Sequence, residues 1–512
     1  MGFKTIDIKL PTSYSEEQLN HAVGKMAGVK KFTFQIINKS LDARKKQNIH
    51  WQIRVGVSSD EVKGESPLPE DALNIEYRKR NKKALVAGAG PAGFFAAYVL
   101  QQAGFDVTLV ERGGDVNTRA KAIAGFEKSG SFNKLGTYSF GEGGAGTFSD
   151  GKLTSRTKRI SKEKAFITNA YIQAGGPEEI AWLTHPHLGS DNLRRIVKNL
   201  REEFIGIGGK MLFETQLSGM EIKNGSVIAA ITDKGTFETD YIIVAPGHSS
   251  YETYHMLMDC GVQFRTKNFA IGSRAEHPQH LINRAQWGVE ALPGVKAAEY
   301  RLTAKTQDNR PVYTFCMCPG GIVVPATPYE HTNIVNGMSY YKRNGGFANA
   351  ACVTGIHPDQ LAGKIVTPQE ALENLEELET TFKSFTDNFS APFITVRDFL
   401  SGKISTKVPE SSYPLGLTPA PLYDMLPKIV VDGMREGLQQ FSRKVQGYDQ
   451  GILLGLESKT SSPVQALRDE AGRCDGFENL FIAGEGSGYA GGIMSSAADG
   501  IKIALQVIDH GS

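Results

Sequence analysis

The chain has 512 residues, 40% of them hydrophobic and 22% charged, with 57 Lys and Arg against 55 Asp and Glu and a net charge of +2. That length accommodates two or three domains, and the near-even charge argues against a protein built on whole-surface attraction to nucleic acid. The five cysteines, Cys260, Cys316, Cys318, Cys352 and Cys474, are too sparse for a secreted disulfide framework, so a cytoplasmic protein is expected.

The opening segment, 1–78, reads as a small α+β unit. Lys4 to Leu10 alternates like a strand, and Ser15 with Gln18 forms a capping-box pattern ahead of Leu19, Val23 and Met26 on one helical face. Phe32, Phe34 and Ile36 alternate again, as do Trp51, Ile53, Val55 and Val57, giving a β-α-β-β order. The segment is mildly basic, with Arg44, Lys45 and Lys46 in its last connection, and Pro67 and Pro69 mark a linker.

A different pattern begins near residue 80. Ala84 to Ala87 is a buried strand, Pro91 to Ala103 a helix, and Val107 to Val110 a second, parallel strand. The uncharged run from Ala84 to Gln102 fits a strand–turn–helix better than a membrane span, because its glycines fall at the turn. A helix is expected near Asp191 to Phe204. Met211 to Val244 then reads as a meander with turns at Asn224-Gly225 and Lys234-Gly235. Residues 266–450 form a mixed region with long helices at Thr367 to Phe385 and Leu426 to Phe441, and 451–512 returns to strand, glycine loop and helix.

Between the first strand and helix lies Gly88-Ala89-Gly90-Pro91-Ala92-Gly93. The pattern is weak alone, but here it has the required context. Gly88 permits the turn, Gly90 lets backbone approach a pyrophosphate, and Gly93 lets the helix pack close to the strand. The diphosphate then meets the free N–H groups of the helix N-terminus. Glu111, closing the next strand, is placed to accept from the ribose hydroxyls and disfavours a 2′-phosphate.

Three later segments bear on which dinucleotide is bound. They are the loop Phe140 to Lys152, the strand end Tyr241 to Gly247, and Asn479 to Gly486. In these residues the chain resembles the two-dinucleotide-binding flavoprotein class, related in fold to glutathione reductase. That resemblance implies non-covalent FAD, a last segment returning to cradle the ribityl chain and flavin, and a final helix opened by Gly491-Gly492-Ile493-Met494. The helix start aims at the flavin pyrimidine edge, where its partial positive charge favours the anionic reduced form.

The likeness extends further. Ser40-Leu41-Asp42-Ala43-Arg44, the loop from Gly141 to Lys152, Cys316-Met317-Cys318-Pro319-Gly320-Gly321, Glu457 to Pro463, and Gly484 to Gly492 together resemble a family of largely uncharacterised bacterial FAD-dependent dehydrogenases. This implies an α/β fold: an FAD-binding Rossmann-like domain with an antiparallel meander (80–265 and 451–512), interrupted by a mixed α+β cap or substrate domain (266–450) and preceded by a small βαββ domain. It does not name a substrate. The chain departs from the wider class at Ala245-Pro246-Gly247, where proline removes a backbone donor.

The residues expected to contact the cofactor are Gly88, Gly90, Pro91, Ala92, Gly93, Glu111, Arg112, Gly143, Gly144, Thr147, Ser149, Gly151, Lys152, Leu217, Gly247, Gly484, Glu485, Ala490, Gly491, Gly492 and Ile493. Lys152 is assigned to the phosphates and Glu485 to the ribityl or ribose hydroxyls.

For the chemistry beside the flavin the candidates are Cys318, Lys459, Glu457 and His277. Cys316 and Cys318 are either redox thiols, pocket thiols or two small strand residues. An internal disulfide between two residues this close on one strand would be strained. Glu457 and Lys459 form a polar wall, with Lys459 steadying negative charge on flavin N1 or substrate, or else a surface salt bridge. His277 is a proton donor or a structural histidine held by a carbonyl. His185-Pro186-His187 has no Cys or acid cluster near it in sequence, so no metal is expected.

The expected function is an FAD-dependent oxidoreductase acting on a small molecule. With a single complete dinucleotide fingerprint, NAD(P)H binds transiently or electrons come from another donor. The alternatives are a flavoprotein acting on RNA through its basic N-terminal unit, and a flavin sensor without turnover.

Overall fold

The computed structural model describes residues 1–65, 73–386 and 388–510. The proline linker at Pro67 and Pro69 lies outside the described residues.

The N-terminal unit is a three-stranded antiparallel sheet in which His50–Ser59 lies between Gly2–Pro11 and Thr33–Asp42. Its helix, Glu16–Ala27, starts on the capping box of Ser15 and Gln18 and ends at Gly28 in the left-handed region. Leu19 and Val23 pack on Ile8, Leu10, Ile53, Val55 and Val57, which makes a small core of its own.

The second unit is a five-stranded parallel sheet in the order Leu480–Ile482, Tyr241–Val244, Lys83–Ala87, Asp106–Val110 and Lys210–Leu212. Strands from opposite ends of the sequence thus lie two positions apart. The strands are buried on both faces, as parallel strands covered by helices are. The helices Pro91–Gln102 and Ile493–His510 cross closely on one side. A methyl at Gly93 would lie 1.9 Å from Gly88 O, and one at Gly500 2.0 Å from Ala92 O, so both positions exclude a side chain. The meander Leu217–Lys223, Ser226–Thr232 and Gly235–Glu238 is antiparallel, and Asn224 and Gly225 turn its first hairpin with φ of 52° and 79°. Two successive positive φ values match the twist of a two-residue hairpin.

The third unit is an eight-stranded, mainly antiparallel sheet. Its main path runs Thr303–Lys305, Pro311–Pro325, Phe347–Ile356, Phe269–Pro278, Ile452–Glu457, Ala391–Thr395 and Leu417–Pro419. The helix Lys428–Lys444 covers it, with Gly433 against Thr354 and Gly437 against Val312.

Ile452–Glu457 corrects the expected division at 450. It pairs with Phe269–Pro278 and Ala391–Thr395 in the middle of this sheet, and the chain returns to the parallel sheet only afterwards. All six of its residues are buried. An unbroken apolar run of this kind fits a central strand of either sheet, so its sequence does not choose between them.

Candidate cofactor and substrate site

A cavity of about 1910 Å³ opens along the carboxyl ends of the parallel strands and reaches across to the eight-stranded sheet. In open α/β sheets that edge is where ligands bind. The helix Pro91–Gln102 begins there at Gly90, whose N-cap position offers no side-chain acceptor to the first amides. A Cβ added at Gly90 would come no closer than 3.8 Å to any neighbour, and at Gly247 and Gly492 it would meet nothing within 4 Å. All three face the cavity, so their backbones form a cradle that side chains would fill.

The C-terminal segment lines the same space with Ala483, Glu485, Gly491, Gly492, Ile493, Ser495 and Ser496. Tyr254 fastens the two loops behind it: its hydroxyl lies 2.8 Å from Gly486 O and 3.2 Å from Gly247 O. Free amides at a helix start, glycine-lined backbone and a carboxylate at the neighbouring strand end are the donor set a dinucleotide requires. The residues present therefore fit FAD.

Glu111 lines the cavity and also binds the loops around it. Its Oε2 accepts from Ala89 N at 2.8 Å, and its Oε1 accepts from Gly113 N at 2.8 Å and Gly141 N at 2.9 Å. It ties the glycine turn to the loop opposite, and a carboxylate with roughly four acceptor positions keeps one for a ligand. Arg112 pairs with Glu252 at 2.6 Å, lies 4.0 Å above the Phe140 ring, and keeps a buried Nη1 without a protein partner.

Pro91, Ala92, Gly88, Gly144, Ser149, Gly151 and Leu217 line the cavity. Gly93, Gly143, Thr147, Gly484 and Ala490 do not. Gly143 donates to Ala89 O, Thr147 to Glu142 O, and Gly484 to Asp499, so these three brace the wall from behind. Lys152 is a correction. It pairs with Asp150 at 2.6 Å and donates to Met317 O, which holds it to the eight-stranded sheet rather than the phosphate cradle.

On the sheet side, Arg274 and Glu457 form a buried pair at 2.7 Å, with Arg274 also donating to Asn349 Oδ1 and Cys316 O, each at 2.8 Å. Burial pushes the Glu457 carboxyl up to about 7, and the Arg274 charge offsets only part of that. Asp150 receives Arg343 at 3.0 and 2.6 Å and, with Lys152, stays ionised despite burial. His187 is pushed down to about 3 by burial and by Arg343, and so faces Lys296 as a neutral ring. Among the described residues no group of His, Cys, Asp or Glu is placed to hold a metal ion.

Two of the expected chemical groups are differently employed. His277 is fully buried and outside the cavity, with Nε2 2.8 Å from Tyr448 O; burial pushes it down to about 4. It is a structural histidine rather than a proton donor. Lys459 lines the cavity, but its ammonium already pairs with Glu379 at 2.9 Å and Tyr251 Oη at 2.7 Å, so its charge is largely matched. Cys318 is wholly buried, whereas Cys316 faces the cavity.

His248 was not visible as a candidate from the sequence. It lines the cavity at the end of Tyr241–Val244, has Nδ1 3.4 Å from Glu485 Oε1, and keeps a buried Nε2 without a partner. Its position just past a parallel strand is the one signal that points to it.

The chain compares with known proteins as follows. Residues 268–460 match the family described as FAD-dependent protein, C-terminal domain-like, residues 86–134 an NAD(P)-binding Rossmann-like domain, and residues 3–58 a domain of unknown function. An uncharacterized protein of Clostridium beijerinckii is 38% identical over 493 residues, covering 93% of this chain and 92% of that one. The chain belongs to a family of FAD-dependent oxidoreductases.

Solved structures are more distant. Glycine oxidase from Bacillus cereus is 11% identical over 84% of this chain and 96% of that chain, with a TM-score of 0.33. L-Proline dehydrogenase from P. horikoshii is 12% identical over 85% and 95%, also at 0.33. CtdE, solved in complex with FAD, is 13% identical over 84% and 83%, again at 0.33. Likeness at this level says nothing of the substrate. Among the described residues no helix is long and apolar enough to cross a membrane.

Proposed function

We propose that this oxidoreductase exchanges an electron pair between FAD in the glycine cradle and a small-molecule substrate admitted to the rest of the cavity, against the eight-stranded sheet. One observation carries the reading. The space of about 1910 Å³ runs from Gly90 and Gly492 to Cys316, Glu457 and Lys459, while a drug-sized ligand fills roughly 300–1,000 Å³. Room for a second molecule follows.

Bound FAD supplies hydride or electron transfer; the chain supplies position, charge and proton traffic. Gly90 and the amides of Pro91–Gln102 would hold the diphosphate, Glu111 and Glu485 would take the sugar hydroxyls, and the start of Ile493–His510 would favour negative charge on the reduced flavin. His248, oriented by Glu485, and Glu457, poised near neutrality, are the groups able to hold or release a proton there.

In this reading, residues 80–265 and the chain after the strand Ile452–Glu457 form the FAD domain. The region between, including that strand, is the substrate or cap domain. The N-terminal unit, 1–78, lines part of the cavity with Lys39, Leu41 and Trp51. Lys39 lies 4.4 Å over Trp51 and 5.6 Å over Trp182. Arg44, Lys45 and Lys46, on which the RNA-directed alternative rests, are exposed, and Arg44 pairs with Asp42 at 2.5 Å; without an RNA-recognition aromatic motif beside them, the small-molecule reading is the one we favour. We place the protein in the cytoplasm, with NAD(P)H as a transient reductant or an electron-donor protein in its stead.

The test is anaerobic mixing of the yellow protein with NADH and with NADPH while flavin absorbance is followed. Bleaching by either identifies the reductant. A flavin that dithionite reduces but that no acceptor reoxidises would favour a sensor.

A further inference from the structure

Cys316 and Cys318 sit close together on one irregular strand. Residues two apart on a regular strand share a face about 6.6 Å apart, and Pro311–Pro325 departs from that regularity here. Phe315 stands opposite Ala351 and Cys318 opposite Asn349, so three steps on one strand answer two on its neighbour. The extra residue forms a bulge, a device that re-aims side chains beside active sites. Cys316 adopts φ of 45°, a left-handed backbone that non-glycine residues rarely take and that clusters at functional positions.

Two cations lock the bulge. Arg274 Nη2 donates to Cys316 O at 2.8 Å, and Lys152 Nζ donates to Met317 O. Arg274 Nη2 also lies 3.6 Å from Cys318 Sγ, which is 3.3 Å from Cys316 O. Cys316 lines the cavity, and Cys318 is fully buried. A hydrogen bond from Cys318, with Lys152 and Arg274 nearby, brings the Cys316 thiol down to about 6 against its burial, whereas Cys318 is driven up. Burial alone pushes Cys352 up to about 12. The pair therefore combines an accessible thiolate with a protonated thiol behind it, the division of labour that thiol–disulfide exchange needs.

We propose that Cys316 and Cys318 are a dithiol–disulfide couple opposite the cofactor cradle, with Cys316 attacking, Cys318 resolving, and a small disulfide or its thiols as the substrate class. This rests on the cofactor reading above. Cys316 sulfur bonds to one sulfur of the external disulfide, whose S–S bond breaks; the other half leaves and takes a proton. Cys318 gives up its proton and bonds to Cys316, which releases the first half as a second thiol. The chain now holds a disulfide and has lost two electrons to the substrate. Two electrons and two protons would restore the dithiol; bound FAD, reduced beforehand by a two-electron donor of the nicotinamide class, would supply the electrons.

The test is an anaerobic dithionite titration of the FAD-loaded chain, oxidised beforehand with bis(2-hydroxyethyl) disulfide and freed of reagent. Wild type is expected to take up about four electrons per flavin, and Cys316→Ser about two. In urea, the oxidised chain is expected to show about three free thiols, and the reduced chain all five. Cys318→Ser is expected to retain the hydroxyethylthio adduct on Cys316, located by peptide mass. Uptake of about two electrons by wild type, with all five thiols still reactive, overturns the couple; so does an adduct confined to another cysteine. If a variant fails to fold, the two wild-type counts decide. A chain that carries no flavin fails the cradle reading instead, and its thiol count still decides the couple.

Discussion

His248 Nδ1 lies 3.4 Å from Glu485 Oε1, joining the end of the strand Tyr241–Val244 to the loop after its parallel neighbour Leu480–Ile482. A carboxylate on one ring nitrogen fixes the tautomer and leaves the other nitrogen for chemistry. Here that other nitrogen is buried without a partner beside the cavity. His248→Gln is expected to slow flavin reduction by the productive reductant by roughly 10²–10⁴-fold, the usual worth of a proton-transfer group. Stopped-flow bleaching checks this. Unchanged rates would make His248 a brace between two loops.

Gly90→Val should yield apoprotein. The added branches would occupy the space over the helix start, where a Cβ now has no neighbour closer than 3.8 Å. Flavin affinity is expected to fall by at least tenfold, about 1.4 kcal/mol, with thermal stability little changed. The flavin-to-protein absorbance ratio after gel filtration measures it.

Arg274 and Glu457 form a buried pair, and removing one partner strands a charge. Arg274→Met is expected to cost about 3–5 kcal/mol, read as a lowered urea midpoint. Glu457→Gln should also destabilise, because it leaves the buried Arg274 guanidinium, which stays charged, without its counter-ion.

Two buried carboxyls, Glu457 and Glu142, give a pH dependence of definite sign. Both are pushed up to about 7 by burial, from 4.5. Between those values the folded chain binds more protons than the unfolded chain, so stability falls as pH rises through the window. Unfolding at pH 5 and at pH 8 is expected to show the higher midpoint at pH 5 from these groups, and Glu457→Gln should flatten the difference.

Alkylation by iodoacetamide should single out one residue. The Cys316 rate is expected to level off above pH about 6, while Cys352 and Cys474, both pushed up to about 12 by burial, stay unlabelled in the folded chain. Mass mapping of the labelled peptides reads this directly.

What the sequence disclosed was local. The strand, glycine turn and helix around Gly90 are contiguous, and each glycine has its reason within a few residues. Asn224-Gly225 was legible for the same cause. The sheet side was not. Glu457 meets Arg274 across 183 positions, and His277 meets Tyr448 O across 171. No periodicity encodes such partners. The bulge beside Cys316 depends on register with Phe347–Ile356, and Ile452–Glu457 carries a pattern that two different sheets would accept. Lys152 sits in the glycine loop by sequence, yet its long side chain crosses to Met317 O.

The central claim is that the turn at Gly90 and the C-terminal loop at Gly492 hold a single FAD. Denaturing the purified yellow protein and identifying the released nucleotide by chromatography tests it most directly. The expected result is free FAD, equimolar with the chain and absorbing near about 450 nm. A colourless chain that binds no added FAD, or full FAD retention by Gly90→Val, would contradict it.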